Sequence, residues 1–286
     1  MSLYGVYASS SAQIRHDFRS SSALADSLAQ SYDELSRPLS HTTSNFDHQR
    51  DRLRDSLTAV DPDLFRRFGQ VGASVSAIID VVFPSSTLKL MILPSCPSRC
   101  SFSQTFPYSI SDVTFPRLVF PPDMRIGGAT QNSVHLDEYV SEFIAKVAED
   151  WAHLFDFPDH KTCRGCRSVL TGASAALLDC PPLLFFEVPA QAGLSVSSVL
   201  PSPHIDVPSL HCQVSYRLSA VIYLGGYHFT CRLIMHDHTT WKYDGQIDDG
   251  RPCTDVHTSS FTLFLPEMSF LGTRKAHFYI YARVDE

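Results

Sequence analysis

The stretch from Tyr216 to Asp244, YRLSAVIYLGGYHFTCRLIMHDHTTWKYD, constrains the fold more than any other part of the chain. Apolar and polar residues alternate, the Gly225–Gly226 pair interrupts them, and the alternation resumes. A period of two marks strands with one face in a core, and a Gly-Gly pair suits a hairpin turn. No helix pattern follows those glycines, so they read as a turn hinge and not as a phosphate loop. A third run, Thr240 to Asp244, comes after His236-Asp237-His238. Two imidazoles two residues apart on one strand face would suit a metal, but their place between two runs reads as a hairpin turn. Three consecutive antiparallel strands would bring His228, at the start of the second run, beside Asp244, at the end of the third. An imidazole beside a carboxylate is the base half of a catalytic constellation, because the carboxylate fixes the imidazole tautomer. The nucleophile must then come from elsewhere. Ser9-Ser10-Ser11 offers hydroxyls but nothing resembling a strained nucleophile elbow, and reads as a loop or helix cap.

A chain of 286 residues with 44% hydrophobic and 19% charged residues can bury a large core. Its net charge of −7 argues against nucleic acid as the main partner. No apolar run approaches the roughly 18–20 residues of a membrane span. The N-terminal MSLYGVYASSSAQIRHDF lacks the basic and apolar blocks of a signal peptide, so an intracellular place, cytoplasmic or nuclear, is expected. In that setting eight cysteines, some at short spacing, point to metal before disulfides.

Along the chain, residues 1–90 read as helical. Leu24, Leu28 and Tyr32 make one stripe of a helix over Ser20–Leu35, and Leu53 and Leu57 make another over Phe46–Val60. Asp61-Pro62 has the form of an N-cap followed by Pro at the first helical position. Ser74–Phe83 suits a buried helix or a strand, and its helical neighbours favour helix. From Leu88 the character turns to strand, with edges marked by Pro107 and Pro116. Leu136, Tyr139, Val140, Phe143, Ile144, Val147 and Trp151 predict a helix over His135–Phe155. Pro181–Val188 is an apolar run of strand length, residues 190–203 read as a Ser/Pro/Gly loop, and strands continue from His211 to the end.

The cysteines divide into two sets. Cys96-x3-Cys100 and Cys163-x2-Cys166 each lie in a tight polar turn with Pro or Gly and a basic residue. Two such knuckles brought together by strands form the four-thiolate tetrahedron of a structural Zn2+ site. The first carries one residue more than the second, and a degraded pair of ordinary thiols is the competing reading. Cys180, Cys212, Cys231 and Cys253 read as buried, inert thiols.

Taken together, these residues resemble a ubiquitin-specific protease domain, a papain-like cysteine peptidase. Tyr216-Arg217-Leu218-Ser219-Ala220-Val221-Ile222 is similar to the strand before that family's catalytic histidine. Tyr227-His228-Phe229-Thr230 is similar to its Gly-His-Tyr-Thr box, and Trp241-Lys242-Tyr243-Asp244 to the segment giving the third triad member. Ala276-His277-Phe278-Tyr279-Ile280-Tyr281-Ala282-Arg283 resembles the closing strand, and Asp206-Val207-Pro208 the segment before the palm strands. The cysteine pairs fall where the fingers' knuckles do. Leu53-Arg54, Phe68-Gly69-Gln70 and Ala73 resemble the thumb helices around a Gln-Gln-Asp-Ala motif. The resemblance covers most of residues 50–286.

It implies an α+β right hand: a helical thumb over about 1–90, fingers and a connecting helix over about 91–190, and a β-rich palm over about 205–286, all one domain of 1–286. It implies His228 as base, Asp244 as orienter, Cys96, Cys100, Cys163 and Cys166 as zinc ligands, and ubiquitin or a ubiquitin-like protein as partner. The departures bear on activity. No cysteine precedes Cys96, and aligning Val6-Tyr7-Ala8-Ser9-Ser10-Ser11-Ala12-Gln13 with the family's Cys-Tyr-x-Asn-Ser-x-x-Gln box puts Val6 at the nucleophile. Valine has no ionisable group. The oxyanion-stabilising Asn falls at or before Met1, Tyr227 stands where the family has Gly, and Gly72 where it has Asp. The expectation is a catalytically impaired relative acting as a ubiquitin-binding or scaffold module. Two alternatives stand beside it: an active thiol-dependent deubiquitinase whose Cys box lies upstream, and an unrelated zinc-ribbon β-rich interaction protein.

Overall fold

A computed structural model describes residues 12–35, 43–67, 74–96, 98, 113–115, 117–119, 133–150, 162–163, 165–169, 172–188, 198–210, 212–226, 228–235, 237–244, 246–247, 253–255 and 266–284. The helical part comes first. Helix α1 (Ala12–Ser21) precedes α2 (Ala23–Leu35), the helix that the apolar stripe predicts over Ser20–Leu35. Ser22 divides them, and its hydroxyl accepts the Ala25 N–H at 3.0 Å as the cap of α2. Helix α3 (Thr43–Val60) follows. Asp61-Pro62 starts no further helix: Asp61 Oδ1 accepts from the Asp63 and Leu64 N–H groups, and a single turn closes at Phe65. Ser74–Phe83 is helical, as its neighbours suggest. Helix α4 (Val75–Val82) begins at Ser74, whose side chain caps the Ala77 N–H. Gly69 and Gly72 lie outside the described residues.

Strand β1 (Leu88–Ser95) pairs on one side with β2 (Val113–Phe115) and on the other with β5 (Gly172–Leu177). Strands β3 (Leu118–Val119) and β4 (Ser133–His135) precede helix α5 (Leu136–Glu149). Then come β6 (Leu183–Glu187), β7 (Ser198–Leu200) and β8 (His204–Pro208). Strands β9 (Gln213–Gly225), β10 (His228–Ile234) and β11 (Thr240–Asp244) are consecutive and antiparallel. Short β12 (Cys253–Thr254) and β13 (Phe270–Leu271) precede the long β14 (Arg274–Arg283). The main sheet runs β12-β11-β10-β9-β14-β6-β3, with β8 on β9 and β13 on β14. It is antiparallel except where β3 meets β6. One segment departs from expectation: residues 190–203 contain β7, held parallel to β4.

The alternation along β14 sets the architecture. Phe278, Ile280 and Ala282 face the four N-terminal helices, together with Leu183, Phe185, Ala220, Ile222 and Leu233. Ala276, Tyr279 and Tyr281 face the other way, toward α5, β1 and β5. The main sheet therefore has a core on each face, which is why β9 and β14 read as nearly continuous apolar runs. Burying tyrosines requires partners for their hydroxyls. Each finds a backbone carbonyl: Tyr279 donates to Val199, Tyr281 to Ser202, Tyr223 to Met268 (all 2.8 Å) and Tyr216 to Pro181 (3.0 Å). The sheet thereby fixes the connections crossing it. An ion cluster ties the helical layer to the same sheet: Arg117 reaches both Asp80 of α4 and Glu187 of β6 at 2.5 Å. The protein is thus α+β with a mostly antiparallel sheet.

Candidate functional site

His228 opens β10 and Asp244 closes β11. Thr230 stands directly opposite Asp244, so His228 is the diagonal neighbour on the same sheet face. His228 Nε2 lies 2.6 Å from Asp244 Oδ1, with side chains 20% and 10% exposed. A carboxylate only accepts, so Nε2 carries the proton; in the neutral ring Nδ1 is then an acceptor, open among the described residues. Asp244 has two further donors. The Gln246 N–H gives to Oδ1 at 3.0 Å, and Arg274 Nη1 gives to Oδ2 at 3.2 Å. Burial opposes ionisation of Asp244, but the Gln246 N–H, His228 and Arg274 outweigh it and hold the carboxyl below its usual range.

Beneath the pair the strand carries polar groups inward. Thr230 is buried and its Oγ1 has no hydrogen-bond partner among the described residues. Arg232, next on that face, donates from Nε to Asp255 Oδ2 at 2.6 Å. Its Nη1 reaches the Glu267 and Phe270 carbonyls at 3.0 and 2.9 Å, and the guanidinium sits over the Tyr223 ring. Burial opposes the Arg232 charge, yet these partners leave its pKa raised. The cysteine nearest in sequence to His228, Cys231, faces the opposite way, into the helical core. Val6 and Tyr227, on which the reading of the nucleophile box rests, lie outside the described residues.

His236-Asp237-His238 is a turn among its described members. His238 has φ +65, and Asp237 Oδ1 accepts from Thr239 N and Oγ1 at 3.0 and 2.7 Å. The scattered thiols divide differently from expectation. Cys231 is buried, Cys180 and Cys253 are half-buried and Cys212 is exposed in the Ser209–Cys212 turn. Polar turn residues, not apolar strand, surround Cys212, which is why it stays at the surface.

The second constellation lies at the end of β1 and β5. Ser95 pairs with Gly172, so the chain just after β1 meets the chain just before β5. Cys163 N–H donates to Ser168 O at 2.8 Å and Arg167 N–H to Cys163 O at 2.7 Å, closing a tight knuckle with Arg167 at φ +56. The Sγ atoms of Cys96, Cys163 and Cys166 all lie within 4.8 Å of one another, Cys96 and Cys166 at 3.4 Å. Two sulfurs on a tetrahedral zinc sit about 3.8 Å apart, so the three could hold a soft metal ion. Hydrogen bonds to Ser168, from its side chain and then its backbone, with the contact to Cys96, lower the Cys166 thiol to about 6. A low thiol pKa supplies the thiolate that metals bind. Cys100 lies outside the described residues.

Sequence reasoning missed Arg274 and Arg232. Arg232 is a single charge among apolar neighbours, and Arg274 follows a Gly-Thr turn and stands beside Lys275, so both read as a solvated face. The one available signal was Arg232 flanked by Cys231 and Leu233 in a strand expected to be central.

No family model matches the sequence, and no curated protein does. Solved structures do match. The SAGA DUB module Ubp8/Sgf11/Sus1/Sgf73 bound to monoubiquitin aligns at TM-score 0.53 and 11% identity, over 96% of this chain and 63% of the other. The same module bound to ubiquitin aldehyde aligns at TM-score 0.51 and 12% identity, over 92% and 59%. A module whose Sgf11 lacks its ZnF aligns at 0.51 and 10%, over 98% and 66%. This chain thus spans about three-fifths of the first two matched chains. At such identities the likeness is one of fold, and the fold is like that of the matched chain of the SAGA DUB module. No described helix is long and apolar enough to cross a membrane.

Proposed function

We propose that this protein belongs to the deubiquitination pathway and binds ubiquitin or a ubiquitin-like protein as a catalytically impaired module. The observation that carries the reading is the His228–Asp244 pair at 2.6 Å, on a ubiquitin-specific-protease-like sheet, in a chain with no cysteine before Cys96. The helices up to α4 would be the thumb, the β1–β5 region with α5 the fingers, and the sheet around β9, β10, β11 and β14 the palm. Asp244 orients the imidazole, and Nδ1 of His228 is placed to take a proton from a thiol. With Val6 in the nucleophile's position there is no thiol to give one, and losing a nucleophile leaves only a small residual rate over water. The use left to such a site is recognition, because holding a ubiquitin tail does not require the chemistry. An intracellular setting, cytoplasmic or nuclear, goes with this reading.

Zinc fits the thiol cluster. Cys96, Cys163 and Cys166, with Cys100 as fourth ligand, would hold Zn2+, which when bound cross-links the chain after β1 to the knuckle before β5. The role is structural, since four thiolates leave no open position.

The test is a titration of the full chain with ubiquitin, followed by amide NMR, beside incubation with a ubiquitin C-terminal propargyl probe. The expected result is saturable shifts on ubiquitin and no covalent adduct. An adduct at any cysteine would restore the reading of an active thiol peptidase. No shift at millimolar ubiquitin would leave the fold without this function and favour a zinc-ribbon β protein of other purpose.

A further inference from the structure

We propose that Arg274 is the positioning residue of the His228–Asp244 pair, and that Gly225 is a glycine so that Arg274 can reach it. The inference rests on His228 and Asp244 being base and orienter. It starts from the register. His228 pairs with Gly225 across the β9–β10 hairpin, and Lys275 of β14 pairs with Leu224 of β9. Continuing that register by one residue sets Arg274 beside Gly225. Arg274, Gly225 and His228 thus form one row across β14, β9 and β10, while Asp244 lies one strand further on.

Two strands, β9 and β10, therefore separate the Arg274 backbone from β11, three gaps or about 14 Å centre to centre. An arginine meets the Asp244 side chain part-way across that distance only if its stem lies flat over β9. A Cβ at Gly225 would stand 2.8 Å from Arg274 Cγ and 3.3 Å from its Cα and Cβ. No side chain fits there without displacing the stem. Gly225 has no left-handed backbone to justify it, unlike Gly226 and Gly272, both at φ +60 in the adjoining turns. Clearance for Arg274 accounts for it.

The consequence falls on Asp244. Its Oδ2 is taken by Arg274 and its Oδ1 by the Gln246 N–H and His228, so the carboxylate cannot rotate away. With the carboxylate fixed, the imidazole is held with Nε2–H on Oδ1 and Nδ1 open. Among the described residues, the charged groups bonded to the pair are these two, Asp244 from β11 and Arg274 from β14. Lys242 shares Asp244's strand face one pleat on, opposite Arg232, and Lys275 alternates to the other face of β14.

The experiment is a pH titration of the 15N-labelled full chain without ubiquitin, reading His228 by long-range imidazole 15N–1H correlation. The wild type is expected to show the Nε2-protonated tautomer. In Arg274→Met, the tautomer should become mixed and the His228 midpoint should rise by about 0.5–1 pH unit, since a cation that disfavours imidazolium is gone. Arg274→Lys should fall between the two. Gly225→Ala should move in the same direction as Arg274→Met, and the double variant should match Arg274→Met alone. A midpoint and tautomer unchanged in Arg274→Met overturn the proposal. So does a Gly225→Ala effect that adds to that of Arg274→Met. If Arg274→Met loses amide dispersion, Gly225→Ala and Arg274→Lys carry the test with the same expected order. Failure of ubiquitin to bind leaves this result untouched, and failure here leaves ubiquitin binding untouched.

Discussion

The end of the sheet at His228 and the thiol knuckle at Cys163 are built in opposite ways. His228 and Asp244 are 16 residues apart and come together through the single β10–β11 hairpin connection. Cys96 and Cys166 are 70 residues apart and meet only because β1 pairs with β5. The first site stands on a sheet buried on both faces, and its carboxylate has three donors. The second stands at the end of a three-stranded sheet, with Gly165, Cys166 and Arg167 exposed. A site of the first kind keeps its geometry unaided. A site of the second kind gains most of its rigidity from whatever its sulfurs bind. Separate supports of this kind should fail separately.

The largest effect expected is from Asp255→Ala. The change leaves the Arg232 guanidinium, side chain 10% exposed, without its carboxylate. Removing one partner of a buried ion pair costs about 3–5 kcal/mol. Denaturant unfolding should show that loss, and the His228 resonance should move because Arg232 lies on the same strand face. Metal content should stay as in the wild type. Equal metal loss would mean that the two regions are one structural unit.

Cys163→Ser tests the other side. A metal cross-link joining segments about 70 residues apart resembles a disulfide closing such a loop, worth about 2–4 kcal/mol. For a chain of this size that is a fall in Tm of roughly 5–10 °C. Elemental analysis should find bound zinc reduced, while His228 titrates as before. Zinc absent from the wild type, with Tm unmoved by the substitution, would remove the metal reading and leave the sheet end standing.

The same contrast explains what the sequence could and could not tell. The hairpin from β9 to β11 is written in local alternation and a Gly-Gly turn, so the proximity of His228 and Asp244 was legible. The pairing of β1 with β5 was not, because Gly172–Leu177 is GASAAL, and small residues carry no strand signal until a neighbour covers them. Strand β7 hid in a Ser/Pro/Gly stretch, since Val199 and Leu200 take their order from β4 and from the Tyr279 hydroxyl on the Val199 carbonyl. Asp61-Pro62 had the composition of a helix start but closes one turn only. Arg274 was out of reach for another reason. Its partner is set by a row across three strands, and periodicity assigns a face but never a register.

Asp244→Asn sharpens the comparison within the sheet end. The folded-state carboxyl lies below its usual range, so its contribution to stability is present above the unfolded carboxyl pKa of about 4 and is lost as pH falls through the folded value. The wild type should lose stability over that acid window, and Asp244→Asn should lose less there. At neutral pH the substitution should cost on the order of 1 kcal/mol and lower the His228 midpoint, the opposite sign to Arg274→Met. A His228 midpoint unmoved by Asp244→Asn would mean that the pair does not exist in solution.

Thr230→Val is the smallest change and asks whether the interior of this site is complete. Thr230 is 2% exposed, sits between Tyr223 and Asp244 in register, and its hydroxyl has no partner among the described residues. An unpaired buried hydroxyl keeps the cost of leaving water and gains nothing in return. Replacing it with a methyl of the same shape removes that cost. Valine should therefore leave the His228 tautomer unchanged and raise stability by about 0.5–1 kcal/mol, read as a shift of the urea midpoint at constant slope. Destabilisation of similar size would show that the hydroxyl bonds to something in solution, and the face beneath Asp244 would then be a polar pocket instead of a sealed one.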